Sequence, residues 1–87
     1  MEFRLSRHAE WERARRSIPL ALVQTVNAPE QRLRDEARAG AWIYPSRLRF
    51  KDGKMYLLRV VVAEEHMPPV IVTAYRTSKI EKYWSAE

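Results

Sequence analysis

The fold is decided by residues 42–63, which read WIYPSRLRFKDGKMYLLRVVVA. From Trp42 the side chains alternate in character at every second position, which predicts a strand with two different faces. One face carries Tyr44, Ser46, Leu48 and Phe50. The other face carries Pro45, Arg47, Arg49 and Lys51. Residues 55–63 are apolar on both faces, and this pattern predicts the central strand of a sheet.

The turn between these two strands is predicted by Asp52-Gly53, because a two-residue type I′ turn needs positive φ at both central positions. Such a turn sets Phe50 opposite Met55, and Ser46 then lies opposite Arg59. A second turn ends at two prolines, which block strand continuation. We expect the last strand over residues 70–76 and a short helix over residues 79–84, with Ser78 as its cap.

The N-terminal part is predicted to be mainly helical. Residues 3–5 alternate and favour a short edge strand, and Ser6 can cap a helix over residues 7–16. A narrow apolar stripe on that helix is supplied by Leu5, Trp11, Ala14 and Ile18. Pro19 favours the start of a second helix, which ends at residues 27–29. Residues 30–40 are compatible with a helix, a loop or part of a strand.

These elements predict one α+β domain over residues 1–87, with N-terminal helices packed on an antiparallel β-sheet of three or four strands and a short C-terminal helix. The net charge is +5, which favours an anionic partner: nucleic acid, an acidic protein or a membrane surface. The chain has no cysteine, which excludes disulfides, thiolate catalysis and cysteine-based zinc sites. Without a segment of signal-peptide or transmembrane length, we expect a soluble cytoplasmic protein that does not bind membranes.

A first group of reactive side chains lies on the first helix. His8, Glu12 and Arg16 are spaced by four residues, so they share one helix face. A histidine beside a carboxylate suits general acid–base work, although a solvated charged face produces the same pattern. His66, in the second turn, is expected to take no part, and two histidines without cysteine make zinc binding a poor hypothesis.

A second group consists of the cations around the hairpin. Arg47, Arg49, Lys51 and Lys54 can form a track for phosphates, or they can be the polar solvent face of an edge. Arg59 differs from them because it lies within an apolar strand. Burying an unpaired guanidinium is costly, so Arg59 should have a carboxylate partner or face a cleft.

A third group comes at the end of the last strand, where Thr73, Tyr75, Arg76 and Lys79 bring hydroxyls and cations together. Thr73 and Tyr75 point to the same face of their strand. This chemistry can hold a phosphate and stabilise a charged transition state. The alternative is that Thr and Tyr are simply good strand formers.

The order of these motifs resembles the RelE-like and BrnT-like toxins of bacterial toxin–antitoxin systems, above all their small histidine-containing relatives. The likeness is carried by His8-Ala9, by Arg16-Ser17-Ile18 and by Thr73-Ala74-Tyr75-Arg76. It implies a metal-independent endoribonuclease without a cofactor, neutralised by an antitoxin protein. The RNA could be ribosome-bound message, and the oligomeric state is left open, with a homodimer among the alternatives.

The resemblance also implies roles for residues. In such chemistry the ribose 2′-hydroxyl attacks the adjacent phosphate. His8 would act as acid or base, and Thr73 and Tyr75 would position the phosphate. Arg59 and Arg76 would hold it, with Arg16 as a third candidate. The expected RNA-binding set is Arg16, Arg47, Arg49, Lys51 and Lys79. Two other hypotheses stay open: a non-catalytic module that binds RNA or an acidic protein, and a structural domain whose cations only confer solubility.

Overall fold

The computed structural model describes residues 2–84, which form an α+β fold around a single five-stranded sheet. The strands are β1 (Arg4–Leu5), β2 (Leu33–Arg34), β3 (Ala41–Arg49), β4 (Met55–Ala63) and β5 (Val70–Thr77). The helices are α1 (Arg7–Arg15), α2 (Leu20–Val23) with a 3-10 turn at Gln24–Asn27 directly after it, and α3 (Ile80–Tyr83). None of these helices is long and apolar enough to cross a bilayer.

The sheet has the order β1-β5-β4-β3-β2 and is mixed, so the expected antiparallel sheet of three or four strands was only partly correct. The three long strands are antiparallel, and β4 is central as its apolar pattern predicted. β1 is the edge strand expected near residue 4, but it runs parallel to β5. β2 lies within residues 30–40 and pairs with β3. A strand of two residues is too short for its sequence pattern to indicate the direction in which it runs or the strand with which it pairs.

The hairpin between β3 and β4 has a different register from the expected one. Phe50 lies opposite Lys54, since the Phe50 N–H donates to the Lys54 carbonyl at 3.0 Å, and Arg49 pairs with Met55. The loop therefore has three residues and ends at Gly53, whose φ of 82° gives the left-handed position of that loop type.

The change of register moves Arg59 to the other side of the sheet. A shift by one residue exchanges the two faces of a strand. In the expected register Arg59 would lie opposite Ser46, on the face of Phe50. In the structure it lies opposite Pro45 and Tyr75, and Leu58 takes the place opposite Ser46.

One face of the sheet, here called the helix-covered face, packs against α1 and α2. Leu58, Val60 and Val62 of β4 are fully buried there, together with Ala9 of α1 and Val23 of α2. Each fully buried leucine or valine side chain contributes about 1.5–3 kcal/mol to the stability of the fold. This face therefore holds most of the hydrophobic core.

The opposite face, here called the arginine face, carries Arg47, Arg49 and Arg59. A smaller apolar cluster of Ile43, Val61 and Val72 lies on it. α3 also lies on this side, because the guanidinium of Arg59 is 5.0 Å from the ring centroid of Tyr83.

The helix ends agree only in part with those predicted from the sequence. The Ser6 hydroxyl accepts the Ala9 N–H at 3.0 Å, so the predicted cap of α1 is confirmed. The predicted cap of α3 was wrong: the Thr77 hydroxyl accepts the Lys79 N–H at 3.0 Å, and Lys79 rather than Ser78 precedes the first turn. Trp11 was expected in an apolar stripe, but its side chain is 59% exposed.

Candidate functional site

The candidate site is built where α1 lies against the free edge of β5. β1 pairs with only the first two residues of β5, so the carbonyl groups further along need other donors. The Ser6 N–H donates to the Ile71 carbonyl at 3.0 Å, and Arg16 Nη1 donates to the Ala74 carbonyl at 2.8 Å. These two contacts, one near each end of α1, fix the helix along the strand edge.

Glu12 orients the arginines of α1. Its carboxylate is buried, and it forms ion pairs with Arg15 at 3.0 Å and with Arg16 at 2.5 Å. The hydrogen bond from Arg15, followed by the charges of Arg15, Arg16 and His8, lowers the pKa of Glu12 below its ordinary value of 4.5. Glu12 is therefore ionised at neutral pH and holds the Arg16 guanidinium towards β5.

The centre of the site is a group of four side chains, the arginine–tyrosine cluster, formed by Arg16, Arg59, Tyr75 and Tyr83. Arg59 Nη1 donates to the Tyr75 hydroxyl oxygen at 2.5 Å. The guanidinium of Arg16 lies 6.0 Å from the Tyr75 ring centroid, and that of Arg59 lies 5.5 Å from it. The Tyr75 oxygen is the acceptor in this hydrogen bond, so the O–H group of Tyr75 can act as a hydrogen-bond donor to a ligand.

Two alternatives were predicted for Arg59, a carboxylate partner or a position facing a cleft, and in the described structure its guanidinium lies beside the rings of Tyr75 and Tyr83. Among residues 2–84 no carboxylate lies within salt-bridge distance of its guanidinium. Its Nε is buried and has no hydrogen-bond partner in the same part of the chain. A guanidinium that lies 5.5 Å and 5.0 Å from the ring centroids of Tyr75 and Tyr83, with no counter-charge among the described residues, is suited to an anionic ligand.

Two other predicted RNA-binding residues share the arginine face but have partners of their own. Arg47 forms an ion pair with Glu30 at 2.9 Å and lies 4.1 Å from the ring centroid of Trp84. The hydrogen bonds from Arg47 lower the pKa of Glu30 below 4.5. Arg49 Nη1 donates to the Gly53 carbonyl at 2.7 Å in the hairpin loop.

Arg76 does not join Tyr75, although the two residues are adjacent in sequence. Neighbours in a strand point to opposite faces, and the guanidinium of Arg76 lies 4.6 Å from the ring centroids of both Phe50 and Tyr56. Lys51 is exposed in the hairpin loop near Arg76, and the two residues line one shallow cleft. These two residues are therefore separated from the arginine–tyrosine cluster by the sheet.

Three of the predicted site residues remain to be placed: Thr73, Lys79 and His8. Thr73 is buried on the same face as Tyr75, as its spacing predicted. Lys79 is exposed immediately before α3. His8 is exposed on α1, with its ring centroid 6.5 Å from that of Trp11. No hydrogen bond joins His8 to Tyr75 or Arg59 in the described part of the chain.

Sequence reasoning found Arg16, Arg59 and Tyr75 but not the way they combine. The four-residue spacing of His8, Glu12 and Arg16 was a sufficient signal for a shared helix face. The position of Tyr83 over Arg59 had no sequence signal, because it depends on how α3 folds back onto the sheet. Within residues 2–84, no group of three His, Cys, Asp or Glu side chains is arranged to hold a metal ion.

The chain was compared with known proteins, and no family model, curated protein or solved structure matches it.

Proposed function

We propose that this protein is a toxin-like endoribonuclease that cleaves RNA without a metal ion. The observation that carries the proposal is the arginine–tyrosine cluster, in which the guanidinium groups of Arg16 and Arg59 both lie beside the Tyr75 side chain although Arg16 and Tyr75 are far apart in sequence. Among residues 2–84, neither Arg16 nor Arg59 is neutralised completely: Arg16 shares Glu12 with Arg15, and the contacts of Arg59 in this part of the chain are with aromatic rings and a hydroxyl. Such a group attracts a phosphate.

The roles in this proposal follow from the groups each residue presents. Arg59 and Arg16 bind the non-bridging oxygens of the phosphate, and the Tyr75 hydroxyl donates a hydrogen bond to one of them. The ribose 2′-hydroxyl attacks phosphorus, its proton goes to a base, and the 5′-oxygen leaves with a proton from an acid. His8 is the candidate for one of these proton transfers, since it is exposed and lies one helical turn from Glu12.

The proposal keeps the likeness to RelE-like and BrnT-like toxins as a hypothesis about biological role. An antitoxin segment with acidic side chains could bind the arginine face and block the cluster, since the chain has a net charge of +5. Arg76 is left out of the phosphate site in this scheme, because its guanidinium lies on the helix-covered face.

A second function is favoured by one observation. His8 has no hydrogen bond to the cluster in residues 2–84, and its ring contacts Trp11 instead. The same cluster without an acid or base would bind RNA and perform no chemistry. We therefore retain a non-catalytic RNA-binding module as the alternative.

The test is cleavage of a mixed-sequence RNA by the purified protein in EDTA. We expect 2′,3′-cyclic phosphate ends from the parent and a loss of about 10²–10⁴-fold in rate for His8→Ala. His66→Ala is the matched control, because it removes the other histidine, which is exposed in the turn before β5. Its cleavage rate should equal that of the parent.

The outcomes separate the hypotheses. Equal cleavage by the parent and His8→Ala would contradict the role of His8. RNA binding that weakens steeply with salt, without cleavage of free RNA or ribosome-bound message, would favour the binding module. Absence of both binding and cleavage would contradict both functions.

A further inference from the structure

The exposed side of α1 presents an aromatic ring among cations. Trp11 is 59% exposed, and the guanidinium of Arg15 lies 5.1 Å from its ring centroid. The His8 ring is on the same side, 6.5 Å away and tilted by 33°. A single exposed apolar side chain needs no explanation in most proteins. Trp11 differs because its neighbours on the helix surface are a guanidinium and an imidazole.

The position of Trp11 around the helix connects it with the proposed phosphate site. Successive helical residues are rotated by about 100°. Five side chains therefore follow one another around α1 in steps of about 20–40°, in the order Trp11, Arg15, His8, Glu12 and Arg16. The last of them contacts the Tyr75 ring and the Ala74 carbonyl. Glu12 is buried and pairs with Arg15 and Arg16, so the accessible path from the arginine–tyrosine cluster to the exposed indole is formed by Arg16, His8, Arg15 and Trp11.

We propose that Trp11 is a stacking platform for an unpaired base of a single-stranded RNA whose backbone continues into the arginine–tyrosine cluster. This inference rests on RNA being the ligand of the proposed function. Aromatic side chains bind bases of any sequence through their faces, and nearby cations bind the adjoining phosphates. Arg7, exposed next to this path, and Arg15 supply those cations.

The charges favour an anionic occupant, and the exposed indole of Trp11 among them favours a nucleic acid strand, whose bases can stack on it, over an acidic protein. Both described glutamates of α1 are already paired: Glu10 with Arg13 at 2.6 Å, and Glu12 with Arg15 and Arg16. Arg7 has no carboxylate partner within residues 2–84. A duplex would not fit the proposal, because its bases are already stacked and only their edges are accessible.

The experiment measures binding of a fluorescein-labelled single-stranded oligoribonucleotide by anisotropy, with Trp11→Ala and Trp11→Phe as variants. Stacking of one base is worth about 1–3 kcal/mol, so Trp11→Ala should weaken binding about 5- to 150-fold. Trp11→Phe should retain most of the affinity. The alanine variant should fold, because alanine has the higher helix propensity and the indole is exposed. Circular dichroism checks this.

Two controls separate stacking from general effects. Met67→Ala removes another exposed apolar side chain, 96% exposed in the turn before β5, and should not change the affinity. An abasic strand of the same length should bind the parent and Trp11→Ala equally. A loss of equal size on the intact and abasic strands would overturn the stacking role.

The result also distinguishes this inference from the proposed catalysis. Weaker binding by Trp11→Ala, with no RNA cleavage by the parent, would retain the stacking site and reject the ribonuclease. Cleavage by the parent with unchanged binding by Trp11→Ala would reject the stacking site alone. If the parent binds no single-stranded RNA, or binds a duplex equally well, the inference is wrong.

Discussion

The two faces of the sheet are made by the same strands but are held together differently. On the helix-covered face, β4 contributes Leu58, Val60 and Val62, which are fully buried under α1 and α2. On the arginine face, the same strand contributes Arg59, held by Tyr75 and Tyr83. The first face stabilises the fold through burial of apolar surface. The second places a guanidinium without a described counter-charge beside a hydroxyl.

The difference indicates that the two faces of the central strand β4 have different roles: one stabilises the fold, and the other contributes Arg59 to the candidate site. A cation in a half-buried position lowers the stability of a fold unless it is paired, so its presence suggests a role other than stability. We expect substitutions on the two faces to affect different properties.

The largest effect is expected for binding and cleavage when the cluster is changed. Arg59→Met should lower RNA cleavage by about 10²–10³-fold, because it removes a donor to the transition-state charge. It should also lower the salt dependence of RNA binding by about one phosphate contact. Arg49→Met is the matched control, since Arg49 is exposed on the same face and donates to the Gly53 carbonyl in the hairpin loop. Equal losses of RNA cleavage in the two variants would show that Arg59 has no role that Arg49 lacks.

The stability of Arg59→Met tests whether the arginine face contributes to the fold. The Arg59 Nε is buried without a partner in residues 2–84, so replacing the side chain by methionine removes an unsatisfied group. We expect the melting temperature of Arg59→Met to equal or exceed that of the parent. A clear decrease would show that the arginine face stabilises the fold as the opposite face does.

On the helix-covered face the expected effect is on stability. Leu58 is fully buried among Val60, Ile71 and other core residues. Leu58→Ala should lower the free energy of unfolding by about 2–5 kcal/mol, as in other large-to-small changes that leave a cavity. Urea denaturation measures this loss. A loss below about 1 kcal/mol would contradict the assignment of the main core to this face.

Another prediction concerns the response of Glu12 on α1 to acid. The pKa of Glu12 is lowered in the folded protein, first by Arg15, so the unfolded chain binds protons more readily. Its stabilising contribution is therefore present above about pH 4.5 and is lost as the pH falls through the folded-state pKa. Glu12→Gln should show a shallower loss of melting temperature on acidification than the parent. Glu36→Gln, an exposed glutamate, is the control and should follow the parent curve.

The smallest effect is expected at the end of α1. Ser17 has a φ of 55°, and the Ile18 N–H donates to the Arg13 carbonyl at 2.8 Å, which together form a helix end that glycine usually occupies. Ser17→Gly should raise the free energy of unfolding by about 0.5–1 kcal/mol, because glycine adopts this conformation without steric cost. Chemical denaturation measures the change. Destabilisation would show that the Ser17 side chain has a packing role.

The sequence alone determined the elements that depend on neighbouring residues. The apolar run of β4, the cap at Ser6 and the shared helix face of Glu12 and Arg16 were all predictable, because periodicity and capping act within a few residues. The α+β class followed from their order. The basic character that supports an anionic ligand was also evident from composition.

The tertiary structure decided which of these side chains meet. The three-residue hairpin loop set the register, and that register turned Arg59 away from the core towards Tyr75. The docking of α1 on the edge of β5 brought Arg16 to the same tyrosine and left Trp11 in solvent. Asp52-Gly53 is compatible with more than one hairpin loop, so packing of the two faces selects the register. Contacts between residues 58 positions apart arise from that packing, which no local pattern encodes.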